Sequence, residues 1–224
     1  MNISRYLDHA VLRPEMSRGE AESAIMVGVE FDVRTVCVRP CDIALAREIC
    51  RDTQTGVCCV LDFPHGTGSA GGKEALARIY IDKGAVEIDM VMNYGFALSG
   101  LWNAVEEEIG RVVGCAHSCG ALVKVIFETS EWPLGLIARG VEACVTAGAD
   151  FVKTSTGFSR CGATEETVSE MLLAAGGRIL VKPSGGIRDY ETAQKFVSLG
   201  CARLGVGYGS TPAICKGGAG GSLY

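Results

Sequence analysis

The chain has 224 residues, 48% of them hydrophobic and 21% charged, with a formal net charge of -5. That length fits one α/β barrel at the short end of its range, and the charge gives no electrostatic case for nucleic-acid or membrane partners. No basic segment followed by an apolar core opens the chain and no later apolar run is long enough to span a bilayer, so a cytoplasmic protein is expected.

Eleven cysteines scattered through apolar segments point to reduced thiols rather than a disulfide framework. No pair forms C-x-x-C, and only His9, His65 and His117 are available beside them, so no metal site is expected.

Runs rich in Val, Ile, Leu and Cys alternate with helical stretches, the pattern of parallel strands with crossover helices. In chain order the pattern predicts a strand at 6–12, a helix at 17–29, strands at 35–38 and 57–61, and a helix at 73–83. It continues with a strand at 86–92, a helix at 104–115, a strand at 122–127, a helix at 136–147 and a strand at 151–154. A helix at 165–175, a strand at 179–182, a helix at 190–199 and a strand at 203–206 complete it. Eight strands at a mean spacing of roughly 28 residues match a single closed (β/α)8 TIM barrel. The barrel is expected over 1–215, with a short, flexible glycine-rich tail over 216–224.

A doubly wound sheet would want Gly-x-Gly-x-x-Gly after the first strand, where this chain has Arg13-Pro14-Glu15. Gly205-x-Gly207-x-Gly209 is half of such a motif, at the last strand, and weak evidence for a dinucleotide.

Two strands carry a lysine among apolar residues and then open into a glycine loop: Phe151-Val152-Lys153-Thr154-Ser155-Thr156-Gly157 and Leu180-Val181-Lys182-Pro183-Ser184-Gly185-Gly186. Alternation puts Lys153 and Lys182 on one face with the strand-end residues, and Lys124 adds a third cation from the preceding strand. Burial and mutual repulsion both favour neutral amine, so one of the three is expected to be a free nucleophile. Asp89 and Asp8 supply carboxylates at equivalent strand positions. One such lysine alone would pass for a side chain snorkelling to solvent, but three with two acids make a different pattern. After the last three strands, Thr156 and Gly157, Gly185 and Gly186, and Gly207 and Tyr208 lie in loops whose N–H groups suit a phosphate.

Leu7-Asp8-His9, Val36-Cys37-Val38-x-Pro40, Phe63-Pro64-x-Gly66, Glu87-Ile88-Asp89-Met90-Val91, Leu122-Val123-Lys124-Val125-Ile126-Phe127-Glu128-Thr129, the run from Ala147 to Phe158 and Lys182-Pro183-Ser184-Gly185-Gly186-Ile187-Arg188 have an order and spacing that resemble the 2-deoxyribose-5-phosphate aldolases over nearly the whole chain. The resemblance implies a cofactor-independent lyase that splits 2-deoxy-D-ribose 5-phosphate reversibly into D-glyceraldehyde 3-phosphate and acetaldehyde. It implies that Lys153 forms the Schiff base, that Lys182 tunes its pKa, and that Lys182 and Asp89 relay protons through a water. Lys124 and Asp8 would hold this network and the substrate hydroxyls in place. Tyr224 matches a habit of ending in tyrosine on a mobile tail that reaches the site in some members. The expected partners are small-molecule sugar phosphate and aldehyde substrates, and a homodimer is left open.

The chain departs from the family pattern at Gly207-Tyr208, where many members have a serine pair, and at Arg39 and Ala10. A related Schiff-base aldolase with an altered or unphosphorylated acceptor is therefore an alternative, and a non-catalytic sugar-phosphate-binding barrel is another. If it faces the cavity, Cys37 is open to alkylation by unsaturated aldehydes formed from acetaldehyde; otherwise it is a small core residue.

Overall fold

In the computed structural model, which describes residues 2–217, eight parallel strands alternate with helices. The strands are β1 (Leu7–Val11), β2 (Thr35–Val38), β3 (Gly56–Leu61), β4 (Glu87–Val91), β5 (Leu122–Ile126), β6 (Phe151–Lys153), β7 (Leu180–Lys182) and β8 (Leu204–Gly207). They pair in the order β7-β6-β5-β4-β3-β2-β1-β8. The barrel closes between its two end strands through a Ser184–Gly205 bridge and Gly205 N–H to Pro183 O at 2.9 Å.

Nine helices are described among residues 2–217, apart from short 3-10 turns: α1 (Arg18–Glu30), α2 (Ile43–Ile49), α3 (Ala70–Asp82), α4 (Tyr94–Leu98), α5 (Trp102–His117), α6 (Ile137–Thr146), α7 (Glu165–Ala175), α8 (Tyr190–Ser198) and α9 (Thr211–Cys215). Each long helix read from the sequence is present, displaced at its ends by three residues or fewer. Local chemistry fixes several starts. Ser17 and Glu20 form a capping box on α1, Thr164 and Thr167 another on α7, and Asp189 accepts Thr192 N–H at 2.8 Å on α8. The unanticipated α2, α4 and α9 have seven, five and five residues. Helices that short carry little periodic signal and form only because the barrel packs against them. No helix among the described residues is long and apolar enough to cross a membrane. Residues 218–224, most of the expected tail including Tyr224, lie outside the described residues.

Alternation sorts the side chains as a barrel requires. On β1, Leu7, His9 and Val11 point out to the helices, while Asp8 and Ala10 point in. His9 is fully buried, with Nε2 2.8 Å from the Ala24 carbonyl of α1 and Nδ1 2.8 Å from the Thr211 hydroxyl of α9. Burial lowers its imidazole to about 4 from 6.5, partly offset by the Ala24 carbonyl. Below about pH 6.5 the unfolded chain takes up this proton before the folded one, so stability is full above that pH and falls toward about pH 4. The loss amounts to about 3 kcal/mol. Urea midpoints at about pH 7.5 and about pH 5 should diverge in the wild type and converge in His9→Gln.

Candidate active site

The inward face of the barrel carries a continuous ionic cluster. Register sets it up: Asp89 lies opposite Lys124 across β4 and β5, and Lys153 opposite Lys182 across β6 and β7. Asp89 is fully buried and is the shared acceptor. Its Oδ1 receives Lys124 Nζ at 2.8 Å, and its Oδ2 receives Lys153 at 2.8 Å and Lys182 at 2.6 Å. Asp8 takes Lys182 at 2.5 Å, Thr35 Oγ1 at 2.6 Å and Arg203 at 2.6 Å. Glu87 takes Lys124 at 2.5 Å and a forked pair from Arg203 at 3.0 and 3.1 Å. The Phe151 ring lies against both Lys124 and Arg203, with their charged groups 5.9 and 5.3 Å from its centroid.

Burial opposes every charge in the cluster, but the partners prevail. Burial acts against ionised Asp89, yet Lys124, Lys153 and Lys182 hold its carboxyl well below the usual range; Lys124, Lys182 and Arg203 do the same for Asp8. Burial works against the Lys182 ammonium, yet Asp8 and Asp89 raise its pKa, and the same acids raise that of Lys124. For Lys124 and Lys182 this corrects the expectation that burial and repulsion favour the neutral amine. Carboxylates at 2.5 to 2.8 Å outweigh both effects for Lys124 and Lys182.

A cavity of about 270 Å³ opens above the cluster at the C-terminal ends of the strands. Lys153, Lys182, Asp8 and Cys37 reach it, and Gly157, Gly185, Gly186 and Gly207 line it. Lys124 does not reach it: fully buried beneath Asp89, it holds the network rather than any substrate hydroxyl. Cys37, 2% exposed, belongs both to the cavity wall and to a small apolar cluster with Leu12, Cys58 and Val60. Cys37, Cys58 and Asp89 lie within 4.8 Å of one another, but three ammonium groups already occupy the Asp89 oxygens a cation would need.

Two of the expected phosphate donors are differently engaged. Tyr208 lines a separate cleft with Arg13 and Glu15, and its N–H donates to Ala10 O at 3.0 Å. Its side chain leaves the barrel because Gly207, one position earlier, takes the inward place opposite Ala10. Thr156 borders the cavity, but its N–H and hydroxyl both go to Glu128.

Residues the sequence reading missed complete the site. Glu87 is two positions before Asp89, so alternation alone could have found it. Arg203 precedes β8, where an arginine reads as an exposed strand start. Arg160 and Arg188 border the cavity from the loops, as does Ser210, which the sequence already places in the loop after the last strand. Gly205 needs to be glycine: a Cβ there would sit 2.6 Å from Ser184 Cβ and 3.3 Å from Lys182 Cε. That close approach, not a dinucleotide, accounts for the first glycine of Gly205-x-Gly207-x-Gly209. Gly162 likewise meets Gly185, where a Cβ would lie 2.2 Å from the carbonyl, and so brings together the loops that follow β6 and β7.

Removing Arg203 would leave Glu87 and Asp8 short of a buried partner. Arg203→Met is expected to destabilise the fold by about 3–5 kcal/mol, with Arg203→Lys intermediate because one ammonium cannot reproduce the fork, as urea unfolding would measure.

Comparison with known proteins agrees with this geometry. The family described as DeoC/LacD family aldolase matches residues 35–209. A deoxyribose-phosphate aldolase from Exiguobacterium sibiricum is 41% identical over 225 residues, covering 100% of both chains. One from Caldanaerobacter subterraneus subsp. tengcongensis is 40% identical over 210 residues, covering 93% of this chain and 91% of that one. Among solved structures, the aldolase QR15 superposes with a TM-score of 0.90 at 36% identity, covering 96% of this chain and 95% of that one. The tetrameric deoxyribose phosphate aldolase of Aeropyrum pernix superposes with a TM-score of 0.87 at 28% identity, covering 96% and 89%. With sequence likeness over the full length and a shared barrel, the chain belongs to the DeoC/LacD family of aldolases.

Proposed function

We propose that the protein is a Schiff-base aldolase that reversibly cleaves 2-deoxy-D-ribose 5-phosphate to D-glyceraldehyde 3-phosphate and acetaldehyde, acting in deoxyribonucleoside breakdown in the cytoplasm. The observation that carries the reading is Lys153 at the cavity, its Nζ 2.8 Å from an Asp89 oxygen that also binds Lys182 at 2.6 Å. Full-length relatives that bear the deoxyribose-phosphate aldolase name support the choice of substrate.

The chemistry follows from the arrangement. Lys153, as free amine, attacks C1 of the open-chain sugar, and loss of water leaves a protonated imine. A base removes the C3 hydroxyl proton, the C2–C3 bond breaks, and its electron pair flows through C2 toward the imine nitrogen, leaving an enamine and releasing D-glyceraldehyde 3-phosphate. Protonation at C2 and hydrolysis then free acetaldehyde and Lys153. Lys182 keeps its charge beside the nucleophile, and a retained cation works against a second one at Lys153. Lys182 also borders the cavity and is assigned the role of acid, with Asp89 as its partner and a water as the carrier.

The phosphate is assigned to the glycine rim. Gly157, Gly185 and Gly186 have positive φ of 86°, 80° and 80°, and Arg160 and Arg188 bring positive charge to the same opening. Those cations offset the missing serine pair and favour a phosphorylated substrate over the unphosphorylated alternative. A binding barrel without chemistry has no use for three lysines buried around one carboxylate, whose desolvation is costly.

Acetaldehyde with borohydride is expected to add one ethyl group on Lys153, read by intact mass and peptide mapping. No adduct, or turnover that survives Lys153→Ala, would sink the proposal. Gly205→Ala should lower kcat at least about tenfold while the fold persists, because the new methyl collides with Ser184 Cβ and crowds Lys182 Cε, disturbing the strand and side chain that set Lys182 against Asp8 and Asp89.

A further inference from the structure

One buried acid near the cavity has no part in the reaction as written. Glu128 stands two residues beyond β5, is 3% exposed and holds a left-handed φ of 58°, a conformation that costs a non-glycine residue about 1 kcal/mol or more. It is in none of the ion pairs among the described residues that hold Asp8, Glu87 and Asp89. Burial raises its pKa, offset in part by hydrogen bonds from Thr156 and by the charge of Lys153. A buried carboxylate without a cation is expensive, so its contacts should indicate its use.

Those contacts converge on one residue. Thr156 N–H lies 3.3 and 3.4 Å from the two Glu128 oxygens, and the Thr156 hydroxyl donates to Oε2. The same hydroxyl then accepts Phe158 N–H at 3.0 Å, bridging the glycine between them. Backbone bonds continue the seam on either side: Phe127 N–H to Lys153 O at 3.0 Å and Thr129 N–H to Thr154 O at 2.9 Å. The chain leaving Lys153 is thus fastened to the end of β5 at three successive points, the last being the Glu128 side chain. Carboxylate suits this task because it accepts two donors and presents none.

The residue left between the bonded Thr156 and Phe158 is Gly157. It lines the cavity with a φ of 86°, and its N–H makes no hydrogen bond among the described residues. The N–H groups of Gly185 and Gly186 across the rim are likewise without one. We propose that Glu128 is a positioning residue for the phosphate subsite, taking both donors of Thr156 so that the loop presents Gly157 N–H to the substrate phosphate. The inference rests on the aldolase reading and deepens it.

The test compares cleavage of 2-deoxyribose 5-phosphate and 2-deoxyribose by the wild type, Glu128→Gln, Thr156→Val, Thr156→Ser and the Glu128→Gln/Thr156→Val pair. It adds competitive inhibition by inorganic phosphate and acetaldehyde–borohydride labelling of Lys153. Glu128→Gln should raise KM for the phosphorylated sugar about tenfold, the factor one weakened phosphate hydrogen bond of about 1.4 kcal/mol carries, and raise the phosphate inhibition constant alike. Its kcat, its handling of 2-deoxyribose and its labelling should stay near wild type. Thr156→Val should reproduce the effect, the pair should be no worse than either single variant, and Thr156→Ser should behave as wild type. Equal losses on both sugars would reduce Glu128 to a structural role, and unchanged phosphate affinity in both Glu128→Gln and Thr156→Val would overturn the inference. Should Glu128→Gln not fold, Thr156→Val and Thr156→Ser decide it. A wild type that fails to label would instead strike the aldolase reading itself.

Discussion

Everything in the barrel interior depends on one carboxylate shared by three ammonium groups. Asp89, on β4, receives Lys124 from β5, Lys153 from β6 and Lys182 from β7, so a single side chain ties four consecutive strands together at their inward face. Asp8 and Glu87 extend the cluster to Arg203 beside β8. Four cations thus meet three carboxylates, which leaves one positive charge in excess. Excess charge is least costly where water or an anion can reach it, and Lys153 is the member at the cavity with a single carboxylate partner.

Glycine makes this crowding possible. Lys182 reaches Asp8 and Asp89 past Gly205, a place on β8 where any side chain would collide with Ser184. Above it, the β6 and β7 loops touch through Gly162 and Gly185, with Ala163 N–H bonded to the Ser184 and Gly185 carbonyls at 3.0 and 3.1 Å. The cluster and the cavity rim are therefore held by the same pair of strands. A displacement of either loop would be felt at Lys182 without any change in its immediate charges.

The strands were readable because apolar runs recur at an even spacing, and the lysines because a charge inside such a run is rare. What could not be read was direction at the edges. Tyr208 stands one place beyond Gly207, and that single step turns its side chain from the cavity to the Arg13 cleft. Thr156 carries the donors expected of a phosphate ligand, yet the acid that claims them is 28 residues away in sequence. Arg203 looks like a solvated strand start until the barrel closes and places Asp8 and Glu87 against it. The sign of the Lys124 and Lys182 pKa shifts failed for the same reason. Burial shows in the composition of a single strand, whereas which carboxylate reaches which lysine is decided between strands, as where Lys182 meets Asp8 from the far end of the chain.

The three lysines differ enough to say which one suits covalent chemistry. Lys124 has three carboxylates within 3.4 Å and no exposed surface, so no substrate reaches it. Lys182 borders the cavity but is held between Asp8 and Asp89 at 2.5 and 2.6 Å. Lys153 has Asp89 alone and is the most exposed of the three, at 4%. In the proposed reaction the protonated imine restores a positive charge to its nitrogen beside Asp89 once the covalent bond has formed. That nitrogen is neutral in the attacking amine and in the enamine, and at those points Lys124 and Lys182 still hold the Asp89 carboxylate. The acid therefore never faces the interior uncompensated, and Lys153 is the one of the three that both borders the cavity and is held by a single carboxylate among the described residues.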